Sequence, residues 1–223
     1  RPETGAGDLQ KMTIYAHESY SKVRAIQKIL DDSRVNIEQW IAQNVAHKMA
    51  AMENKSFLFG DGDKKPKGIL AYETVAGGEW TWGKLEHVNA AHEGDVSFDD
   101  LVNLMGSLKQ HYLSGSNWLM SRKVLSQLRR LKTDDGHYIW QPSLDQSCAA
   151  SVFGYGVEIT DDLSQEGAPS VIFGNFKLGY QIVDRAGIFT LRDPYSAKPH
   201  VEFYTTKRVG GDVINFEALK VLR

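Results

Sequence analysis

Apolar residues recur at three- and four-residue steps after Leu30-Asp31-Asp32-Ser33, through Ile37, Trp40, Ile41, Val45, Met49 and Met52. That spacing puts them on one face of an α-helix. Asp31, Asp32 and Ser33 are N-cap candidates, and the run through Ala46, Ala50 and Ala51 has high helix propensity, so the spacing predicts one long amphipathic helix over 33–55, stopped by Gly60. At ~1.5 Å per residue it would be a rod roughly 33 Å long, which suits a spine better than a bundle. Val23, Ile26, Gln27 and Leu30 repeat the spacing and predict a shorter helix over 18–30 packed beside it.

The turn-rich stretch 60–68, with three glycines and Pro66, separates this helical first quarter from the rest. Ser97 then caps a second helix, with Asp99 and Asp100 in its first turn and Phe98, Leu101, Val102, Met105, Leu108 and Tyr112 on one face, ending near Gly115. Asn117–Met120 reads as a buried strand. Ser121 caps a third helix with Val124, Leu125, Leu128 and Leu131 inward, closed by Thr133-Asp134-Asp135-Gly136.

From Val152 the texture changes to short β-rich runs at 156–160, 170–173, 178–183, 187–191 and 201–208. The last alternates, with Val201, Phe203 and Thr205 on one face and Glu202, Tyr204 and Thr206 on the other. Gly210-Gly211 predicts a turn with positive φ into a final apolar segment, 213–222. Helices first, then mixed elements, then strands argue α+β over a regularly alternating βαβ fold.

Composition adds mainly exclusions. The 223 residues, 42% hydrophobic and 24% charged, suit a folded globular chain. Twenty-six basic residues against 28 acidic ones leave a formal charge of -2, without the basic footprint of a nucleic-acid coat. Cys148 is alone, so no internal disulfide is possible. No run of 18 apolar residues spans a bilayer and no apolar leader opens the chain, which predicts a soluble protein with no membrane partner. A start at Arg1 in a polar stretch reads as the middle of something longer, a processed or trimmed product.

Candidate chemistry falls away on inspection. Asp61-Gly62-Asp63 begins like a calcium loop, but its twelfth position is Tyr72 where a bidentate Glu is needed. Gly60, Gly62 and Gly68 around Lys64, Lys65 and Lys67 lack the Gly-Lys-Ser/Thr element of a phosphate cradle. His87, His92 and Glu93 are not spaced as His-Glu-x-x-His, and Gly94 interrupts the helix such a site requires. Cys148 lacks the signature of a paired nucleophile, and His137 near Asp134 and Asp135 fits a turn before a strand. The third helix carries Arg122, Lys123, Arg129, Arg130 and Lys132, read as a solvated face or an interface to an acidic neighbour, because no aromatic residues interleave in sequence to stack bases. The expectation is a non-enzyme with no catalytic, cofactor-binding or metal residues and no cofactor. The competing enzyme reading is a hydrolase with an unrecognised site at His137 or His92.

Three stretches together resemble the tailed-bacteriophage major capsid protein family, in the version found in prophages and gene-transfer particles. The first runs from the spine pattern into Ser56-Phe57-Leu58-Phe59-Gly60-Asp61-Gly62 and on to Pro66-Lys67-Gly68-Ile69-Leu70. The second is Trp118-Leu119-Met120-Ser121, Leu128 to Lys132, Asp135-Gly136-His137-Tyr138, Trp140-Gln141-Pro142, Leu144 and Gly154-Tyr155-Gly156-Val157. The third is Phe173-Gly174-Asn175-Phe176, Gly179-Tyr180, Val183-Asp184-Arg185, Arg192-Asp193-Pro194-Tyr195, and Thr205-Thr206-Lys207-Arg208-Val209-Gly210-Gly211.

The resemblance implies the Hong Kong 97-type capsid fold, with a long spine helix, a peripheral lobe and an axial lobe. It divides the chain into a remnant of an extended loop (1–12), a peripheral domain (13–58 and 184–223) whose sheet Trp40 and Ile41 would face, and an axial domain (59–183). An N-terminal arm and the outgoing half of the loop would be missing, and this chain without them would fold but not close shells. The family's Lys-to-Asn cross-link, assisted by a Glu, would fall near Arg1, Pro199 and Thr206, which cannot support it. The implied function is a major capsid protein that self-assembles into pentamers and hexamers of an icosahedral shell. The implied partners are portal, scaffold and protease proteins and packaged DNA without specific binding, in a virion assembled in the bacterial host cytoplasm. An encapsulin-like compartment is the alternative within the same fold.

Overall fold

The structure is a computed structural model that describes residues 11–91, 95–132, 135, 137–140, 151–164 and 171–223. The first element among the described residues is a strand, β1 (His17–Ile26), where the three-and-four spacing predicts a helix. Its side chains alternate between half-buried and exposed along all ten residues. Ser19, Ser21, Val23 and Ala25 point inward, a period of two that the small serines conceal from a hydrophobicity reading. All ten residues pair antiparallel with a strand 180 positions downstream. Only α1 (Gln27–Asp32) is helical in this stretch.

The spine, α2 (Ile37–Phe59), runs 23 residues. Because α1 takes up Asp31 and Asp32, the cap falls on Asn36, whose side-chain oxygen accepts the Gln39 N–H at 3.0 Å. Ile41, Val45 and Met49 form one narrow buried line at four-residue steps, while Trp40 (58% exposed) lies on the solvent side and Met52 lines an open groove between the spine and β1. The sheet beneath is narrow and accepts a single ridge of the helix. Trp40, expected to face it, does not.

Next come β2 (Thr74–Ala76), β3 (Leu85–Val88), α3 (Phe98–Gly106) and α4 (Gln110–Leu113). The Ser97 hydroxyl accepts the Asp100 N–H, and the Asp100 carboxylate accepts the Ser97 N–H in return, a reciprocal capping box. The single helix expected to reach Gly115 is broken after Gly106. β4 (Asn117–Met120) and α5 (Arg122–Arg130, capped by Ser121) stand where the sequence places them. β5 (Ser151–Val152), β6 (Tyr155–Ile159), β7 (Val171–Gly174), α6 (Phe176–Gly179), β8 (Tyr180–Asp193), β9 (His200–Val213) and β10 (Leu219–Leu222) complete the chain.

β8 is one strand, read as two short runs because its register shifts between Asp184 and Phe189. β9 passes straight through Gly210-Gly211, where a turn was expected. Neither glycine has a positive φ. They are required by proximity instead: a Cβ on Gly210 would overlap the Tyr15 carbonyl, and one on Gly211 the Tyr180 hydroxyl.

The strands form two sheets. The smaller has the order β1-β9-β8 and carries α2 on one face, where Ile41, Val45 and Met49 meet Val201 and Phe203. The larger has the order β2-β3-β10-β7-β4-β6-β5. One of its faces packs α3 and α5 through Leu101, Leu104, Leu125 and Leu128 onto Trp118, Phe173 and Leu222. The other buries Leu85, Ile172, Leu219 and Val221 with Leu58 at the end of the spine. The sequence-based boundary at 183/184 falls inside β8, and β10, grouped there with the peripheral part, hydrogen-bonds between β3 and β7 in the large sheet. Among the described residues no helix is long and apolar enough to cross a membrane.

Candidate assembly surfaces

In the loop after the spine, the calcium-like beginning is tied to its own chain. The Asp61 carboxylate accepts the Asp63 N–H at 3.0 Å and lies 3.0 Å from the Lys65 ammonium. The Lys65 hydrogen bond, then the Asp63 N–H, hold its pKa below the ordinary carboxylate value. Asp61 thus closes a turn on its own loop, which Gly68 anchors by donating its N–H to the Gly60 carbonyl at 2.8 Å. Among the described residues no cluster of three or more His, Cys, Asp or Glu side chains is arranged to hold a metal ion. His87 is half-buried on β3 with its Nδ1 unpartnered, and His137 is exposed beside the bridge between Lys132 and Tyr138. His92, Glu93, Asp134, Gly136 and Cys148 lie outside the described residues.

The buried charges are structural pairs. Lys220 and Glu86 face each other on adjacent parallel strands β10 and β3, in contact through Nζ and Oε2. Burial pushes the Lys220 amine down to about 8, against the pull of the carboxylate beside it. Lys207 on β9 reaches Glu53 on the spine at 2.7 Å. Glu202 lies between Lys22 and Arg24 of β1, at 2.6 and 3.0 Å, and the Lys22 hydrogen bond is the first cause of its lowered pKa. Each pair ties neighbouring elements together.

The unpartnered features are apolar surfaces and strand edges. β8 is an edge of the small sheet, and Ile182, Ile188, Phe189 and Leu191 stand exposed along it. Tyr195 follows, and Trp40 stands on the outer side of the spine. At the β2 edge of the large sheet, the connection 77–84 exposes Trp80 and Trp82. Sequence reading passed over this loop, although two tryptophans among glycines in Gly77-Gly78-Glu79-Trp80-Thr81-Trp82-Gly83 are a signal, since a turn has no core to bury them. α5 presents Arg122, Lys123, Arg129 and Arg130 outward. Aromatics do interleave with its charges in space: the Arg129 guanidinium lies 5.3 Å from the Trp140 ring centre, and the Lys132 ammonium 4.8 Å from that of Tyr138. An apolar edge, an exposed tryptophan loop and a basic helix face can dock other proteins.

Comparison with known proteins gives this arrangement its context. The pattern of the phage capsid family matches residues 1–223. Among solved structures, the capsid of a native GTA particle is 38% identical, covering 99% of this chain and 76% of that one, with a TM-score of 0.89. The capsid of an empty GTA particle is also 38% identical, covering 99% and 79%, with a TM-score of 0.87. The holo-SrpI encapsulin complex from Synechococcus elongatus PCC 7942 is 15% identical over 93% of this chain and 73% of that one, at a TM-score of 0.67, a likeness of fold alone. No curated protein matches.

Proposed function

Since this chain belongs to the phage capsid family over its whole length, we propose from that premise how its surfaces serve a major capsid protein, the subunit of an icosahedral phage or GTA shell. The fold is the Hong Kong 97-type capsid fold. The observation that carries the reading is the agreement of the backbone with a GTA capsid over 99% of the chain. The unpartnered β8 edge and tryptophan loop suit a subunit whose surface is completed by its neighbours.

The small sheet with the spine serves as the peripheral lobe and the large sheet as the axial lobe, turned toward the five- and sixfold axes. Copies meet through heterologous contacts that close into pentamers and hexamers. The shell is held together without covalent links. Portal, scaffold and protease proteins take part in assembly in the bacterial host cytoplasm, and the packaged DNA is contained without specific binding, as the net charge of -2 suggests. Negative-stain electron microscopy of the full-length gene product at rising concentration, with and without its genomic neighbours, tests this. Icosahedral shells support it, and a monodisperse monomer under every condition rejects it. The encapsulin alternative rests on a likeness of fold alone, and shells that capture a cargo enzyme in place of DNA would decide for it.

A further inference from the structure

A unit that closes by rotation presents two different faces to its neighbours, one on each side. The large sheet has two ends, and exposed apolar side chains stand at both. At the β2 end, the loop 77–84 carries Trp80 (45% exposed) and Trp82 (57%), whose rings lie 6.5 Å apart, edge to face, with Trp82 also braced on Phe216 at 5.4 Å. This bracing fixes the loop's shape without covering its outer surface. At the β5 end, Phe98, Val102, Ile139, Trp140 and Phe153 line a hollow of about 310 Å³. With seven strands spaced ~4.8 Å apart, the two ends lie roughly 29 Å from each other, too far to meet within one subunit.

One acidic side chain of the tryptophan loop is matched by cations at the other end. Glu79 is exposed on the tryptophan loop, while Lys84 of the same loop is bound to Glu73 at 2.8 Å. Beside the hollow stand Arg129 over Trp140, the neighbouring Arg130, and Lys132 over Tyr138. Tryptophan and arginine are the residues most enriched where binding energy concentrates at protein interfaces. A nucleic acid would use the same cations, but would leave both the apolar hollow and the tryptophans at the opposite end without a role.

Resting on the capsid-subunit reading, we infer that the tryptophan loop of one copy seats in the β5-end hollow of the next, with Glu79 against the basic end of α5, and that this contact propagates around the ring. The occupant is a second copy of this chain. The loop and hollow are different patches, so the contact is heterologous and yields closed rings.

The test places one thiol on each side without removing the aromatic rings. In a Cys148→Ser background, Thr81→Cys and Ser151→Cys are combined in the full-length gene product, which is oxidised at concentrations that give wild-type particles. The inference predicts a non-reducing ladder ending at five or six linked copies, with neither single variant going beyond a dimer. Particles that form normally without the ladder overturn the contact and leave the shell reading intact. Absence of both ladder and particles sinks the two together. As a second measurement, Glu79→Arg should raise the concentration needed for assembly by about tenfold, and Arg130→Glu in the same chain should restore it. If Glu79→Arg changes nothing while Arg129→Glu and Arg130→Glu abolish salt-dependent retention of DNA, the basic face of α5 serves nucleic acid and the inference is wrong.

Discussion

The large sheet is covered on both faces, whereas among the described residues the small sheet is covered by the spine on one face only. In the large sheet β7 and β10 are buried at every residue. In the small one β8 is exposed along most of its 14 residues. The first is thereby a self-sufficient core, with Trp118 and Phe173 rings 4.0 Å apart at its centre. The second is a platform whose other face is open among the described residues. A shell subunit needs both, a body that folds before assembly and surfaces that remain unfinished until it.

The sharpest way to break the comparison is at the centre of the large sheet. Trp118 is fully buried and donates its indole N–H to the Val152 carbonyl at 3.0 Å. Trp118→Ala should destabilise the subunit by about 3–5 kcal/mol, through lost burial and the cavity left behind. Chemical denaturation measures it. A loss below about 1 kcal/mol would mean that this core is not the stable half.

On the spine, two adjacent residues separate its covered and uncovered sides. Ile41→Asp buries a carboxylate among Val45, Val201 and Phe203 and should cost several kcal/mol, enough to unfold a subunit of ordinary stability. Trp40→Asp, one residue earlier on the exposed side, should change stability by no more than about 0.5 kcal/mol. Equal effects would refute the one-ridge packing of α2.

A smaller effect is expected where β9 crosses the start of the chain. Gly210→Val would drive a side chain into the Tyr15 backbone, and overpacking of this kind costs about 1–3 kcal/mol. Gly210→Ala should already show part of it, since the first carbon makes the clash. A melting temperature unchanged in both variants would remove the close-approach explanation.

These sites also show how far the sequence could be read. The spine is visible because its apolar residues recur at three- and four-residue steps from Ile37 to Met52, and Ser97 and Ser121 announce their helices through local capping chemistry. The family resemblance placed the fold and the function. β1 was misread because its inward positions are serine, valine and alanine, and its partner strand is about 180 residues away, so nothing local marks it as extended. Gly210-Gly211 misled for a related reason: glycine answers both to positive φ and to a backbone passing close by, and only the fold distinguishes them. The tryptophan loop was passed over because an exposed aromatic pair has no periodicity to detect.

The carboxylate of Glu202 gives a finer handle on the small sheet, through pH. Lys22 first, then Arg24, hold its folded pKa below the ordinary 4.5. A carboxylate depressed on folding contributes stability that is present above its unfolded pKa and is lost as pH falls through the folded one. Glu202→Gln should therefore lower the melting temperature slightly at pH 7 and flatten its decline below about pH 4.5. An acid limb identical to wild type would show that β1 is held to β9 by its backbone pairing alone.

The smallest effect on the subunit should come from the free face itself. Phe189 and Leu191 lie on one side of β8, opposite Thr206 and Tyr204 of β9, and both are more than half exposed. Replacing both with serine removes little buried area, so the melting temperature should stay within the shift of about 0.5 kcal/mol typical of surface changes. The same pair offers apolar area to an incoming chain, and association converts such area into affinity only after its entropic cost is met. A modest loss of contact area at every subunit therefore multiplies across a shell. Light scattering of the double variant should show particles forming only at higher concentration than wild type, or not at all, while denaturation curves superimpose. If instead the subunit is clearly destabilised and assembly is unaffected, β8 belongs to the folded core and the contrast between the two sheets fails.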